Sequence, residues 1–246
     1  MITIFRYSFY PVISIIFVAY WILKCDKVLK FGWATSFLIA LLHEIACAIS
    51  AVAMSFVEAG LQIENATTYR LYGLMFFMPI FYFALAKVLK REVNRLFDVF
   101  AFALMIRLII GRVDCLISGC CQGVLMFGHE SIRWPIRELE ICYYLIMVFI
   151  FSRKVIRGKT FGQVYPQYLL TYGLFRFAIE WVREEYVGQI GIFHLAHVWS
   201  LLSILAGGIS LYVINKQNSM KNNKRLNCVR NTENKRRGGS SNEYNS

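Results

Sequence analysis

Tyr172, Arg176, Glu180 and Arg183 are spaced i, i+4, i+8 and i+11, which places them on one face of an α-helix. Phe175, Phe177, Ile179 and Trp181 fill the other faces, so the four polar side chains form a stripe on an apolar helix. An ionised residue in the middle of a bilayer costs about 2.5–3.5 kcal/mol on insertion scales, so the stripe calls for an explanation. One reading is an internal Arg176–Glu180 ion pair that only offsets its own cost. The other is an anion site, because Arg183 leaves the stripe with surplus positive charge, and a lipid phosphate is the natural anion at that depth. Guanidinium groups are suited to stabilising a phosphate as a bond to it breaks.

A second constellation runs from Arg107 through Gly111, Arg112, Asp114, Cys115, Gly119, Cys120 and Cys121 to Gly123. Its glycines permit the tight turns of an irregular segment, and backbone of that kind is tolerated near lipid only where it is buried or lines a cavity. Arg112 is expected to project into that cavity, whereas Arg107 is expected to snorkel or pair with a carboxylate. Glu44 lies on a small-residue face with Ala48, Ala51 and Ser55. That face reads as helix packing with one buried hydrogen bond, the alternative for His43–Glu44 being a proton donor or acceptor. Cys115, Cys120 and Cys121 read first as small residues packed in a tight loop. A disulfide from Cys115 to a neighbour, or a zinc site completed by His129, are further readings; C-x4-C-C is not a usual zinc spacing, and no metal or cofactor is expected. Asn65–Ala66–Thr67 fits a glycosylation sequon, a pattern short enough to arise by accident.

The elements that must position these residues follow from composition. Of the 246 residues, 57% are hydrophobic and 17% charged, with a net charge of +12. Soluble domains carry about 45–50% apolar and about 25% charged residues, so a soluble enzyme, a disulfide-stapled secreted domain and a disordered chain are all excluded. Seven apolar runs are expected to span a membrane: Tyr7–Leu23, Trp33–Phe56, Leu71–Ala86, Phe97–Ile110, Ile141–Phe151, Pro166–Val182 and Ile192–Ile214. The fold class is therefore an all-α, seven-helix integral membrane protein. A span needs about 20 residues, so Ile141–Phe151 must borrow Arg137–Glu140 or be shielded by its neighbours. No small-x-small cleavage site follows the first run before Lys24, so it reads as a retained helix.

The loops sort the charge. Lys24–Gly32, Lys87–Leu96 and Ser152–Lys159 carry +2, +3 and +4, and the segment from Asn215 carries +6. Val57–Arg70, Gly111–Glu140 and Arg183–Gly191 are each −1. Short basic loops stay in the cytoplasm, which predicts an outside N-terminus and an inside C-terminus. Residues 1–214 then form the membrane domain. Residues 215–246 form a basic, unstructured cytoplasmic tail with weak attraction to anionic lipid. The tail lacks interleaved aromatics to stack bases, so no nucleic-acid partner is expected. No phosphate-binding glycine loop, serine elbow, helix-borne zinc motif or transporter-like repeat is visible.

At these residues the chain resembles the prolipoprotein diacylglyceryl transferases. The family motif Y-x-x-x-R-x-x-x-E-x-x-R is matched in full by Tyr172, Arg176, Glu180 and Arg183. The spacing of G-R-x-G-N-F-x-x-G-E-x-x-G is kept by Gly111–Arg112, Gly119 and Gly123, and a P-x-x-x-x-E segment is matched by Pro135 and Glu140. The likeness covers roughly Leu71 to Ile214. It implies a seven-helix, multi-pass enzyme of the bacterial plasma membrane that moves diacylglyceryl from phosphatidylglycerol to a lipobox cysteine thiol, releasing glycerol phosphate. The partners implied are phosphatidylglycerol, membrane lipid and a prolipoprotein or other thiol acceptor. Arg112 and Arg176 are the catalytic candidates for neutralising the phosphate, with Glu180 holding an arginine. Tyr172, Arg183, Gly119, Gly123 and Cys115 are the substrate-binding candidates. Three positions depart from the family. Leu71 stands where it has the histidine of H-G-G, with only Gly73 kept, and Cys115 and Cys120 stand at the motif's Asn and Glu. His43, His129 and His197 are possible substitutes for the base. A lipid-binding protein without catalysis and a small transporter are the rival readings.

Overall fold

The structure is a computed structural model that describes residues 2–25, 29–60, 71–126, 131–160, 162–184, 189–190 and 193–239. The described residues contain seven α-helices: α1 (Ile2–Lys24), α2 (Trp33–Glu58), α3 (Leu71–Val88), α4 (Val93–Ser118), α5 (Ile136–Ile156), α6 (Val164–Ile179) and α7 (Leu195–Gly239). A 3-10 turn, Glu180–Val182, follows α6, and two short antiparallel strands, β1 (Gln189–Ile190) and β2 (Phe193–His194), lead into α7. By length and composition, α2, α3 and the Leu195–Met220 part of α7 are able to cross a membrane.

The polarity of the bundle is inverted relative to a water-soluble protein. Phe149 is 81% and Trp33 78% exposed, while Asp98, Arg112, Glu140, Arg176 and Glu180 are buried. Contiguous exposed apolar surface of this extent needs an apolar surround. The centre is α4, whose residues from Val99 to Met105 are all fully buried and which packs against α1, α3, α5 and α6. Trp21 of α1 stacks on Phe102 at 4.5 Å and donates its indole N–H to the Val99 carbonyl at 2.9 Å.

Two close approaches set the helix positions. A Cβ at Gly73 would lie 2.0 Å from the Ser50 carbonyl oxygen, so α3 meets α2 backbone to side-chain-free backbone. Asp98 of α4 accepts the backbone N–H groups of Gly162 (2.6 Å) and Val164 (2.9 Å) and the Thr160 hydroxyl. It thereby supplies partners for N–H groups that the first turn of α6 cannot satisfy internally.

Several boundaries differ from the sequence reading. Arg137–Glu140, which the short fifth run is expected to need, lie in the first turns of α5. The fourth run continues to Ser118, so Gly111 and Arg112 are helical. The expected irregular segment starts only at Gly119, which closes α4 with φ +72°. Gly111 lies mid-helix, where an intrahelical hydrogen-bond ladder shields the backbone without any turn. The segment read as an unstructured tail is helical backbone as far as Gly239, in continuation of α7.

Candidate functional site

Glu140, in the second turn of α5, is 0% exposed and carries an arginine on each carboxylate oxygen. Arg112 of α4 pairs through Nε with Oε2, and Arg176 of α6 donates from Nη1 to Oε1 at 2.9 Å. The chain of charge continues. Arg176 Nη2 lies 2.7 Å from Glu180 Oε2, and Arg183 Nη1 lies 3.8 Å from the same oxygen. Three cations and two anions thus alternate across three helices and the 3-10 turn. A buried charge is tolerated only when it is paired, and this alternation pairs each charge with an opposite one, leaving one surplus positive charge.

The sequence-predicted residues Arg112, Arg176 and Glu180 are therefore brought together. The residue that joins them, Glu140, was noted in the sequence only as a motif match and given no role. Its signal was present: an acidic side chain at the start of a run too short to span without it.

The helical stripe needs correction at its end. The α-helix stops at Ile179, Glu180 opens the 3-10 turn, and Arg183 is extended (φ −89°, ψ 140°). Arg183 instead forms an antiparallel bridge with Gly123, next to a Val124 N–H to Val182 carbonyl bond of 2.9 Å. The two motifs are joined by backbone, and Gly123 is required there because a Cβ would meet the Trp134 carbonyl oxygen at 2.5 Å. Arg133 reinforces this corner by donating to the Gly123 carbonyl at 3.1 Å and pairing with Glu184. That pairing holds the Glu184 carboxyl below its ordinary range.

Tyr172 lies inside the bundle, stacked on Tyr144 with ring centroids 5.8 Å apart. Tyr144, Tyr168 and Tyr172 are fully buried, and none of their hydroxyls makes a well-formed hydrogen bond. Gly119 turns the chain back on α4, so that the sulfur atoms of Cys115, Cys120 and Cys121 lie within 4.8 Å of one another. The Cys115 thiol is raised above the usual thiol range, first by its hydrogen bond with Cys121 and then by burial. Arg137 donates to the carbonyls of Cys115 (3.4 Å) and Cys120 (3.2 Å), fixing the loop to α5.

The remaining candidates have other duties. His43 is buried with Nε2 3.2 Å from the Tyr82 hydroxyl, and Glu44 pairs with Arg107 at 2.5 Å, the carboxylate partner expected for that arginine. His197 accepts the His194 N–H on Nδ1 at 3.1 Å and packs against Trp181 at 4.8 Å. Leu71 is the first residue of α3 and part-buried. His129 and the Asn65 sequon lie outside the described residues.

A family model described as prolipoprotein diacylglyceryl transferase matches residues 60–213, well over half of the chain. A protein of Clostridium perfringens (strain 13 / Type A), named phosphatidylglycerol–prolipoprotein diacylglyceryl transferase 2, is 30% identical over 124 residues, covering 45% of this chain and 48% of that protein. The matched region thus spans about half the length of this curated relative.

Proposed function

The chain belongs to the prolipoprotein diacylglyceryl transferase family, and from that premise we propose that it transfers diacylglyceryl from phosphatidylglycerol to a cysteine thiol of a lipobox-type acceptor. The reading places it in a bacterial plasma membrane with seven spans, its N-terminus outside and its C-terminus in the cytoplasm. The observation that carries the proposal is the single buried carboxylate, Glu140, holding Arg112 and Arg176 from separate helices. This spacing presents two guanidinium groups to one anion without leaving them facing each other unscreened. Arg112 approaches Glu140 most closely through Nε, and its planar guanidinium is suited to a bidentate phosphate contact.

In the reaction the acceptor thiol loses its proton to solvent and its thiolate sulfur attacks the glycerol carbon next to the phosphate ester oxygen. The carbon–oxygen bond breaks and glycerol phosphate leaves with the electron pair. Arg112 and Arg176 neutralise the charge growing on that phosphate, the kind of fixed charge that is worth most in a site closed to water. Glu180 orients Arg176, and Arg183, tied to Gly123, guides the headgroup. Tyr172, whose hydroxyl makes no well-formed hydrogen bond among the described residues, offers it to the headgroup or phosphate. Gly119 and Gly123 shape the loop over the site, with Cys115 at its base.

The test is lipid transfer to a lipobox peptide in membranes containing this protein. Product that disappears in Arg176→Ala is the expected result. Absence of product in membranes where a known transferase works, or full activity in Arg176→Ala, overturns the reading. A second reading, a family member that binds lipid without catalysis, is favoured by Leu71 at the histidine position. It predicts no complementation of a transferase-depleted strain, with Arg176-dependent phospholipid binding retained.

A further inference from the structure

Three thiols converge at the outer end of α4. Cys115 lies in its last turn, one turn beyond Arg112, and Gly119 (φ +72°) reverses the chain so that Cys120 and Cys121 return towards Cys115. Cys121 is held at φ +56°, a left-handed conformation that an L-residue rarely adopts unless its surroundings impose it. The Arg137 hydrogen bonds to the Cys115 and Cys120 carbonyls fix both arms of this turn from α5, one helical turn before Glu140. Cys120 is exposed and the other two are part-buried, so the sulfurs are reachable from outside the bundle. The spacing C-x4-C-C did not by itself indicate this convergence.

A disulfide accounts for two sulfurs and leaves the third without a reason to be there, and adjacent cysteines such as Cys120 and Cys121 bridge each other poorly. A single ion accounts for all three. Zinc–sulfur bonds of about 2.3 Å imply sulfur separations of about 3.8–4.0 Å, so a set already within 4.8 Å closes on an ion by a contraction of about an ångström. Three protein ligands with a fourth position open is also the arrangement of catalytic rather than structural zinc sites.

We propose that Cys115, Cys120 and Cys121 bind a thiophilic divalent ion of the zinc class as thiolates, and that the open fourth position takes the thiol of the acceptor. This rests on the reading of the chain as a thiol-alkylating transferase. Coordination releases the acceptor's proton to solvent, because a thiol bound to such an ion is deprotonated outright. The bound thiolate supplies the electron pair for the new carbon–sulfur bond. The carbon–oxygen bond to the phosphate breaks, its electron pair leaves on glycerol phosphate, and the thioether product, a weaker ligand, dissociates. No oxidant or reductant is consumed. The arrangement does the work of a general base in a chain that has Leu71 where the family has histidine. It also puts the nucleophile one helical turn from Arg112.

The full-length protein, purified in detergent under reducing, anaerobic conditions, is titrated with Co(II) and then with Zn(II). The expected result is sulfur-to-cobalt charge-transfer absorption saturating at one ion per chain and displaced by zinc. It is lost in Cys115→Ser, Cys120→Ser and Cys121→Ser and kept in Cys142→Ser. A lipobox peptide then shifts the cobalt spectrum, and the same peptide with serine for cysteine does not. No charge-transfer band, with the three thiols titrating freely, overturns the site, as does a Cys115 disulfide in protein isolated without reductant. A band unmoved by the peptide overturns the acceptor role. Both readouts are independent of transfer. A spectrum that behaves as expected without lipid transfer sinks the transferase reading alone, and transfer that survives chelation and all three serine variants sinks this proposal alone.

Discussion

Glu140 is the residue on which the site turns, because it is the sole carboxylate shared by Arg112 and Arg176 among the described residues. Glu140→Gln keeps the shape and removes the charge, leaving two buried guanidinium groups with one anion, Glu180, between them. Breaking a buried pair in this way costs about 3–5 kcal/mol, so the variant is expected to melt well below wild type in detergent and to lose lipid transfer. Arg112→Lys separates catalysis from stability. It retains the cation but loses the planar fork, so transfer is expected to fall about 10²–10³-fold, the scale of losing one transition-state donor, while thermal unfolding stays close to wild type. Tyr172→Phe makes the opposite contrast. Its hydroxyl has no well-formed hydrogen bond among the described residues, so removing it is expected to leave stability unchanged or slightly raised. A drop in transfer with unchanged melting then assigns the hydroxyl to substrate, and unchanged transfer removes Tyr172 from the site.

At the scale of elements, the bundle is positioned by places where backbone approaches backbone. Gly73 opposes Ser50 across α2 and α3, and Gly123 opposes Trp134 beneath the bridge that carries Arg183. Gly73→Ala must separate two helices and is expected to lower stability by about 1–3 kcal/mol, the range for overpacking, read as melting temperature and membrane yield. Gly123→Ala displaces a corner outside the helices and is expected to raise the apparent KM for lipid more than it lowers kcat, because Arg183 shifts while Arg112 and Arg176 stay held by Glu140. How far the sequence revealed these elements depended on the origin of each signal. Helix number, the Arg176–Glu180 pair and the need for Arg137–Glu140 in α5 followed from local spacing and length. Glu140 as the shared anion, the Gly123–Arg183 bridge and the convergence of three sulfurs depend on contacts between segments far apart in the chain or on a turn conformation, and period alone does not encode them. The overextended irregular segment had a different cause: glycine permits a turn but does not impose one, and Gly111 stays helical.

At the scale of the whole molecule, the net charge of +12 separates into two populations with different physical roles. Ionisable residues within the apolar runs find partners inside the bundle: Glu44 with Arg107, Asp98 with the start of α6, and Arg176 with Glu140 and Glu180. Glu44, Asp98, Arg107, Arg176 and Glu180 sum to −1, which Arg6 offsets, so they add nothing to the net charge. The surplus lies in Lys24–Gly32, Lys87–Leu96, Ser152–Lys159 and the segment after Asn215, which alternate along the chain with segments of net −1. Transfer of short basic loops across the membrane is disfavoured, so this alternation predicts the proposed sidedness. Alkaline phosphatase, active only outside the cytoplasm, is therefore expected to be active when fused after Gly60, Ser131 or Glu184 and inactive after Lys30, Lys90, Arg157 or Ser246. A fluorescent protein that matures only in the cytoplasm is expected to give the reverse pattern. The proposed orientation also bears on the proposed chemistry, because it would put Arg112, Arg183 and the three cysteines at the outer end of the bundle, on the side of an exported acceptor. An active phosphatase fusion after Arg157 would place that end in the cytoplasm and remove the acceptor's route to the site. Replacing Arg153, Lys154, Arg157 and Lys159 by Gln removes the charge that, in the proposed orientation, holds this loop inside. The expected result is a mixture of orientations, with transfer falling in proportion to the misoriented fraction while the protein that remains correctly oriented keeps its wild-type KM.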